Sequence, residues 1–237
     1  MELLKKILAE RPAFHRSETE VQRSFDPAES YLSRQAATKL TQQKQACYGI
    51  ERKVALFLWD EVAAGNHTLE TGAGISTLIF AMRGATHQAI TPNKPETEAI
   101  RRYAAGKNIP FEKVKFVIES SDSYLPKAEL PPLDLVFLDG KHAFPWPIVD
   151  WFYTADRLKK GGLMVLDDTD MPPVKVLADF LQVDTRWQIV RSFDRTIAFR
   201  KMDKNVHDVA WHMQPWVTRH YNKSLLSRLK KKVKRLF

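Results

Sequence analysis

The chain has 237 residues, 44% hydrophobic and 27% charged, a balance that fits one globular domain with extensions rather than a disordered polypeptide. Its longest unbroken apolar run, Val54 to Trp59, is six residues, whereas a membrane-spanning helix needs roughly 20. The formal net charge is +9, yet the stretch from Thr218 to Phe237 holds eight Lys/Arg and no acid. The rest of the chain is therefore close to neutral, which disfavours a nucleic-acid-binding core with a folded basic face.

Residues 1–50 are polar and charged with scattered apolar positions, and they predict a helical N-terminal extension. The opening MELLKKILAERPAF mixes acids with bases and does not read as a secretory signal. Cys47 is the only cysteine. This excludes an intrachain disulfide framework and a cysteine zinc cluster, and makes a reducing, cytoplasmic setting the expectation. Residues 51–65 predict a helix ending on Gly65.

The texture then changes, because eight of the nine glycines fall between Gly65 and Gly162. Short apolar runs alternate with helical patterns. Strands are predicted at 67–71, 86–91, 114–118, 133–140 and 163–167, with helices reaching Met82 and over 94–105, 147–158 and 174–181. The 147–158 helix is expected to stop at the Gly161-Gly162 pair. Residues 187–191 and 196–200 read as a closing antiparallel pair. Alternation of this kind predicts an α/β fold with a mostly parallel sheet covered on both faces. Ligands of such folds bind at the carboxyl ends of the strands. Those ends read Glu70-Thr71-Gly72, Thr91-Pro92-Asn93, Ser120-Ser121-Asp122, Asp139-Gly140 and Asp167-Asp168.

The loop after the first strand is E-x-G-x-G, from Glu70 to Gly74. A dinucleotide fingerprint would place a third glycine where Thr77 stands. Glu70 would also repel a pyrophosphate. An ammonium-bearing ligand without phosphate suits the loop better, as in the methionine part of S-adenosylmethionine. With Glu70, Gly72, Gly74, Ser76 and Thr77, then Asp139, Gly140 and His142, then Gly161, Gly162, Asp167 and Asp168, the chain resembles class I S-adenosylmethionine-dependent methyltransferases over about residues 50 to 200. It is most similar to their O-methyltransferase-like branch, which includes metal-dependent sugar and macrolide enzymes. The resemblance implies a Rossmann-like, doubly wound seven-stranded sheet over 51–202, with helical extensions at 1–50 and 203–237.

The same resemblance implies that Glu70 holds the methionine amino group, that Gly72, Gly74 and Ser76 allow close backbone contact, and that Ser121 and Asp122 lie near the adenine. It departs from the family at Thr91, where an acid would ordinarily hold the ribose hydroxyls. Asp139, Asp167 and Asp168 are candidate ligands of magnesium (Mg2+), a hard ion that favours oxygen donors. Asp139 could equally bond the acceptor directly, and Asp168 or Asp170 could cap the helix opened by Pro172 and Pro173. His142 is the candidate base, since imidazole as a side-chain type can exchange a proton near neutral pH. Phe144, Trp146, Trp151 and Tyr153 suit either a pocket wall or the core, and Asp150 reads as structural.

His207, His212 and His220 have spacings that do not suit a zinc site. Residues 223–237 interleave cations with Leu225, Leu226, Leu229, Val233 and Leu236. That pattern suits a packed helix with a solvated basic face, docking from Lys223 to Phe237 on an anionic membrane surface, or binding to RNA or another acidic partner. The function expected is O-methylation of a small-molecule or glycan hydroxyl. The alternative is a non-catalytic binding protein with a vestigial site and a docking tail. A nicotinamide-dependent oxidoreductase is disfavoured by Glu70 and Thr77.

Overall fold

A computed structural model describes residues 1–12, 14, 50–219 and 221. The basic segment 223–237, His220 and most of the N-terminal extension lie outside the described residues. In chain order the elements are α1 (Glu2–Glu10), α2 (Arg52–Glu61), β1 (His67–Thr71), α3 (Ile75–Met82), β2 (Thr86–Ile90), α4 (Lys94–Gly106) and β3 (Val114–Val117). There follow α5 (Ser121–Tyr124), β4 (Leu133–Leu138), α6 (Trp146–Ala155), β5 (Leu158–Leu166), α7 (Pro172–Val183), β6 (Trp187–Ser192) and β7 (Ile197–Lys201). The seven strands form one sheet in the order β3-β2-β1-β4-β5-β7-β6. β7 runs antiparallel to β5 and to β6, while β1, β4 and β5 pair in parallel. This is the mostly parallel α/β sheet expected from the alternation of elements, with the seven-stranded, Rossmann-like form that the resemblance implies.

By its contacts the chain divides into two units, Met1–Asn66 with Gly72–Glu119, and His67–Thr71 with Ser120–Phe237. In the first, β2 and β3 pair in parallel, His87 opposite Val114 through Ile90 opposite Val117. α3 is buried from Ile75 to Ala81, and Phe80 stacks on His87 with ring centroids 4.3 Å apart. α1 buries Leu4 and Ile7, and its Glu10 accepts a hydrogen bond from Lys107 Nζ at 2.6 Å.

In the second unit, β1 pairs with β4 and β4 with β5 through near-continuous apolar stretches, as expected of strands covered on both faces. One expectation is corrected here. Gly161-Gly162 does not stop a helix. α6 ends at Ala155, and the glycine pair lies inside β5. The register jumps there, with Leu158 opposite Leu133 but Leu163 opposite Leu135. Gly161 supplies the positive φ of 85° that this bulge needs, and a Cβ on Gly162 would lie 2.8 Å from Leu158 Cδ1. α6 is terminated from elsewhere in the sequence: Lys201, at the end of β7 and 1% exposed, donates to Ala155 O at 2.6 Å and Leu158 O at 2.8 Å.

Candidate active site

The glycine loop opens α3. Gly72 holds a φ of 90°, a conformation that side chains disfavour, and its N–H donates to Ile90 O at 2.9 Å. Gly74 is extended, which any residue could adopt, and a Cβ there would meet no atom within 4 Å. The protein itself therefore does not demand glycine at 74. Open space at the start of a helix, where the first N–H groups have no acceptor from a preceding helical turn, fits the close approach of a ligand. Thr77, at the third-glycine position, accepts a hydrogen bond on Oγ1 from Gly74 N at 3.0 Å and braces the loop. Ser76 is buried beside it in sequence, at the first turn of α3.

After β2, Thr91 is buried. Its hydroxyl donates to Glu96 Oε2 at 3.3 Å and accepts from Asn93 N at 3.3 Å. Asn93 caps α4 by accepting from Glu96 N at 3.3 Å, which fixes the helix turn that carries the Glu96 carboxylate. An acid is thus held behind the neutral Thr91. Local sequence gave no sign of this contact, because Glu96 reads as an ordinary first-turn helix acid.

The acids of β4 and β5 separate into two environments. Asp139 N donates to Thr71 O at 3.1 Å and Asp167 N to Leu138 O at 3.1 Å, so the parallel ladders carry both acids to the strand ends. Asp168, next in line, adopts a left-handed φ of 52°. Asparagine and aspartate tolerate this better than most residues, and such strain often accompanies function. His142 Nε2 lies 3.5 Å from Asp139 Oδ1 and 3.5 Å from Asp168 Oδ2. On its other oxygen Asp168 accepts from Arg195, in the β6–β7 turn, at 2.5 Å. That turn is pinned by Thr169, whose N and Oγ1 donate to Arg195 O at 2.7 Å and 2.9 Å.

Asp167 does not join this group. It is buried and accepts from the Thr196 hydroxyl. Burial pushes its carboxyl up to about 7, the nearby Asp139 charge adds to the rise, and Thr196 opposes it. Asp139 keeps about a third of its side chain open (34%). Desolvation nevertheless raises its carboxyl above the ordinary range, with His142 pulling the other way.

The donor atoms of Asp139, His142 and Asp168 lie within 4.8 Å of one another. That is a mixed nitrogen and oxygen set, and an ion there would share Asp168 with Arg195. Of the three acids expected to hold magnesium, the structure brings together two, and His142 stands where Asp167 was expected. Asp168 and Asp170 do not cap α7, whose N-cap is Met171 with no side-chain cap bond.

A third cluster follows β3. Ser121 opens α5 and is buried, whereas Asp122 faces Trp146, whose indole N–H donates to Asp122 Oδ1 at 3.3 Å. The Ser120 hydroxyl, followed by this indole, holds the Asp122 carboxyl below its ordinary range. Lys141 Nζ lies 3.5 Å from the centre of the Trp146 ring. Asp150, on α6, is 2% exposed. Burial pushes it up to about 6, while the hydroxyls of Ser121 and Thr71 oppose the shift. Among the four aromatics, Trp151 is core, packed on Phe180 and His207, Tyr153 lies against Phe152, and Phe144 is exposed. Trp146 is the one tied, among the described contacts, to a predicted site residue, Asp122. Arg195, Glu96 and Asp150 carry no motif: Arg195 reaches Asp168 from a separate turn, Glu96 meets Thr91 across the turn that opens α4, and Asp150 is set apart by burial.

Residues 69–169 match the family described as methyltransferase domain. Cofactor-bound Rv0187 from MTB is similar in structure, with a TM-score of 0.57 and 14% identity over 78% of this chain and 97% of that one. The O-methyltransferase TomG of Streptomyces achromogenes, in complex with SAM, gives a TM-score of 0.53 and 15% identity over 74% of this chain and 92% of that one. An rRNA methylase from Streptococcus thermophilus gives 0.52 and 15% over 65% of this chain and 99% of that one. No curated protein matches the sequence. Identities this low carry the fold and leave the acceptor open. Over residues 69–169 the chain is similar to the methyltransferase-domain family, and its fold is that of the methyltransferase structures it resembles.

Proposed function

We propose that this protein transfers a methyl group from S-adenosylmethionine to a hydroxyl oxygen of a small molecule or glycan. The observation that carries the reading is His142, held between Asp139 and Asp168 at the ends of β4 and β5. S-adenosylmethionine supplies a methyl on a sulfonium, which leaves as a neutral thioether when the acceptor oxygen attacks in line. The acceptor must lose its proton, and an imidazole that titrates near neutrality is suited to take it. Asp139 and Asp168 orient the ring and stabilise the cation formed, while Arg195 fixes Asp168. Glu70 would receive the methionine ammonium, and the turn from Gly72 to Ser76 the methionine backbone. Ser121 and Asp122 would meet the adenine. Thr91 would offer its hydroxyl to the ribose, with the Glu96 carboxylate behind it.

A second reading keeps the fold and adds a divalent cation on Asp139, His142 and Asp168, supported by the spacing of their donor atoms. Calorimetric titration with S-adenosylhomocysteine, with magnesium and with EDTA, separates the two. Binding that survives EDTA supports the imidazole base alone. Loss with EDTA and recovery with the ion favour the metal. No binding at millimolar ligand would return the chain to the non-catalytic reading.

A further inference from the structure

We propose that the segment carrying the exposed Trp211, Met213 and Tyr221, together with the basic sequence that follows it, docks on an anionic lipid membrane. This is independent of the methyl-transfer reading. The chain after β7 is anchored on the second unit. Val206 is 2% exposed, His207 Nε2 bonds Phe152 O at 2.8 Å, and the Trp216 ring packs 6.5 Å from that of Phe180. From this anchored segment Trp211 is 67% exposed, Met213 66% and Tyr221 61%. Leaving large apolar side chains in water forgoes burial that a partner would restore. Tryptophan and tyrosine suit a membrane interface, where one end of the ring is apolar and the other wet.

The charge of the adjoining sequence names the partner. Asp208 is the last acid of the chain, and Arg219, Lys223, Arg228, Lys230, Lys231, Lys232, Lys234 and Arg235 follow it. These cations complement an anionic headgroup layer. Interleaved with them stand Leu225, Leu226, Leu229, Val233, Leu236 and Phe237. A phosphodiester backbone would meet the cations but bury few of these aliphatic groups, whereas a lipid surface takes both. The proposal therefore rests on exposed aromatic groups and adjoining cations acting together.

The test is co-sedimentation of the full chain with phosphatidylglycerol vesicles and with phosphatidylcholine vesicles. The expected result is binding to the first only, weakened by added salt as screening requires. Trp211→Ser with Met213→Ser, both at exposed positions, should weaken binding about tenfold, with melting temperature and S-adenosylhomocysteine affinity unchanged. Lys230→Glu, Lys231→Glu and Lys232→Glu together should abolish it. Failure of the full chain to bind anionic vesicles overturns the proposal, as does equal binding by the Trp211→Ser, Met213→Ser variant. Binding to polyuridylate RNA without vesicle binding would overturn it in favour of a nucleic-acid partner.

Discussion

Asp150 is a carboxylate kept where water is scarce, and its side chain has a measurable cost. Its folded pKa of about 6 exceeds the ordinary carboxylate value, so the folded state holds the proton more tightly than the unfolded chain. The sign follows: stability is greatest below about pH 4 for this group, falls as pH rises, and the loss is complete above about pH 6. Asp150→Asn should therefore raise stability at pH 8 by on the order of 2 kcal/mol, and the gain should vanish near pH 4. Urea denaturation at the two pH values checks it, and a destabilised variant at pH 8 would show that the charge is needed. At the site itself, His142→Ala should lower kcat by about 10²–10⁴-fold if the imidazole is the base. The acid limb of the pH–rate profile should then disappear. Unchanged turnover would remove His142 from the chemistry. Thr91→Asp, which places an acid where the sequence resemblance implies one, should tighten S-adenosylhomocysteine binding if Thr91 faces the ribose; unchanged affinity in calorimetry would place the ribose elsewhere.

Elements meet at positions that tolerate little change. Gly140 follows β4, and a Cβ on it would lie 2.9 Å from Thr71 Oγ1 and 3.0 Å from Thr71 Cβ, on the neighbouring strand. Gly140→Ala must push β1 and β4 apart or twist the turn that carries His142. A loss of about 1–3 kcal/mol is expected in chemical denaturation, with a larger fractional loss of activity than of fold. Lys201 reaches from β7 to the end of α6, satisfying two carbonyls that water cannot reach. Lys201→Met keeps the stem but strands those acceptors, and should cost about 1–3 kcal/mol. The same contact explains why α6 ends before the glycine pair that local sequence marks as its stop.

Across the whole molecule, ligand binding and folding are expected to be linked. S-adenosylhomocysteine at 100 times its dissociation constant should add about 2.7 kcal/mol of stability, a melting shift of roughly 5–10 °C for a chain of this size. Gly72→Arg, which fills the turn and strains a φ of 90°, should abolish the shift. A shift that persists in Gly72→Arg would mean the ligand binds away from the glycine loop.

Sequence alone determined the strands and their kind, because a strand buried on both faces must be a short apolar run, as in Leu133–Leu138 and Leu163–Leu166. It also located the glycine loop, since a sharp turn before a helix needs residues without side chains at defined spacing. The acids at the strand ends were legible for the same local reason. Only the tertiary structure decided what those acids do. Asp167 and Asp168 are adjacent in sequence, yet alternate sides of a strand end send one to Thr196 and the other to His142 and Arg195. Lys201 at the end of α6 and the bulge at Gly161 belong to the same class. Each depends on which side chain a neighbouring element brings within hydrogen-bonding reach, or on the register a strand adopts, and sheet pairing sets both across distances that local pattern does not encode.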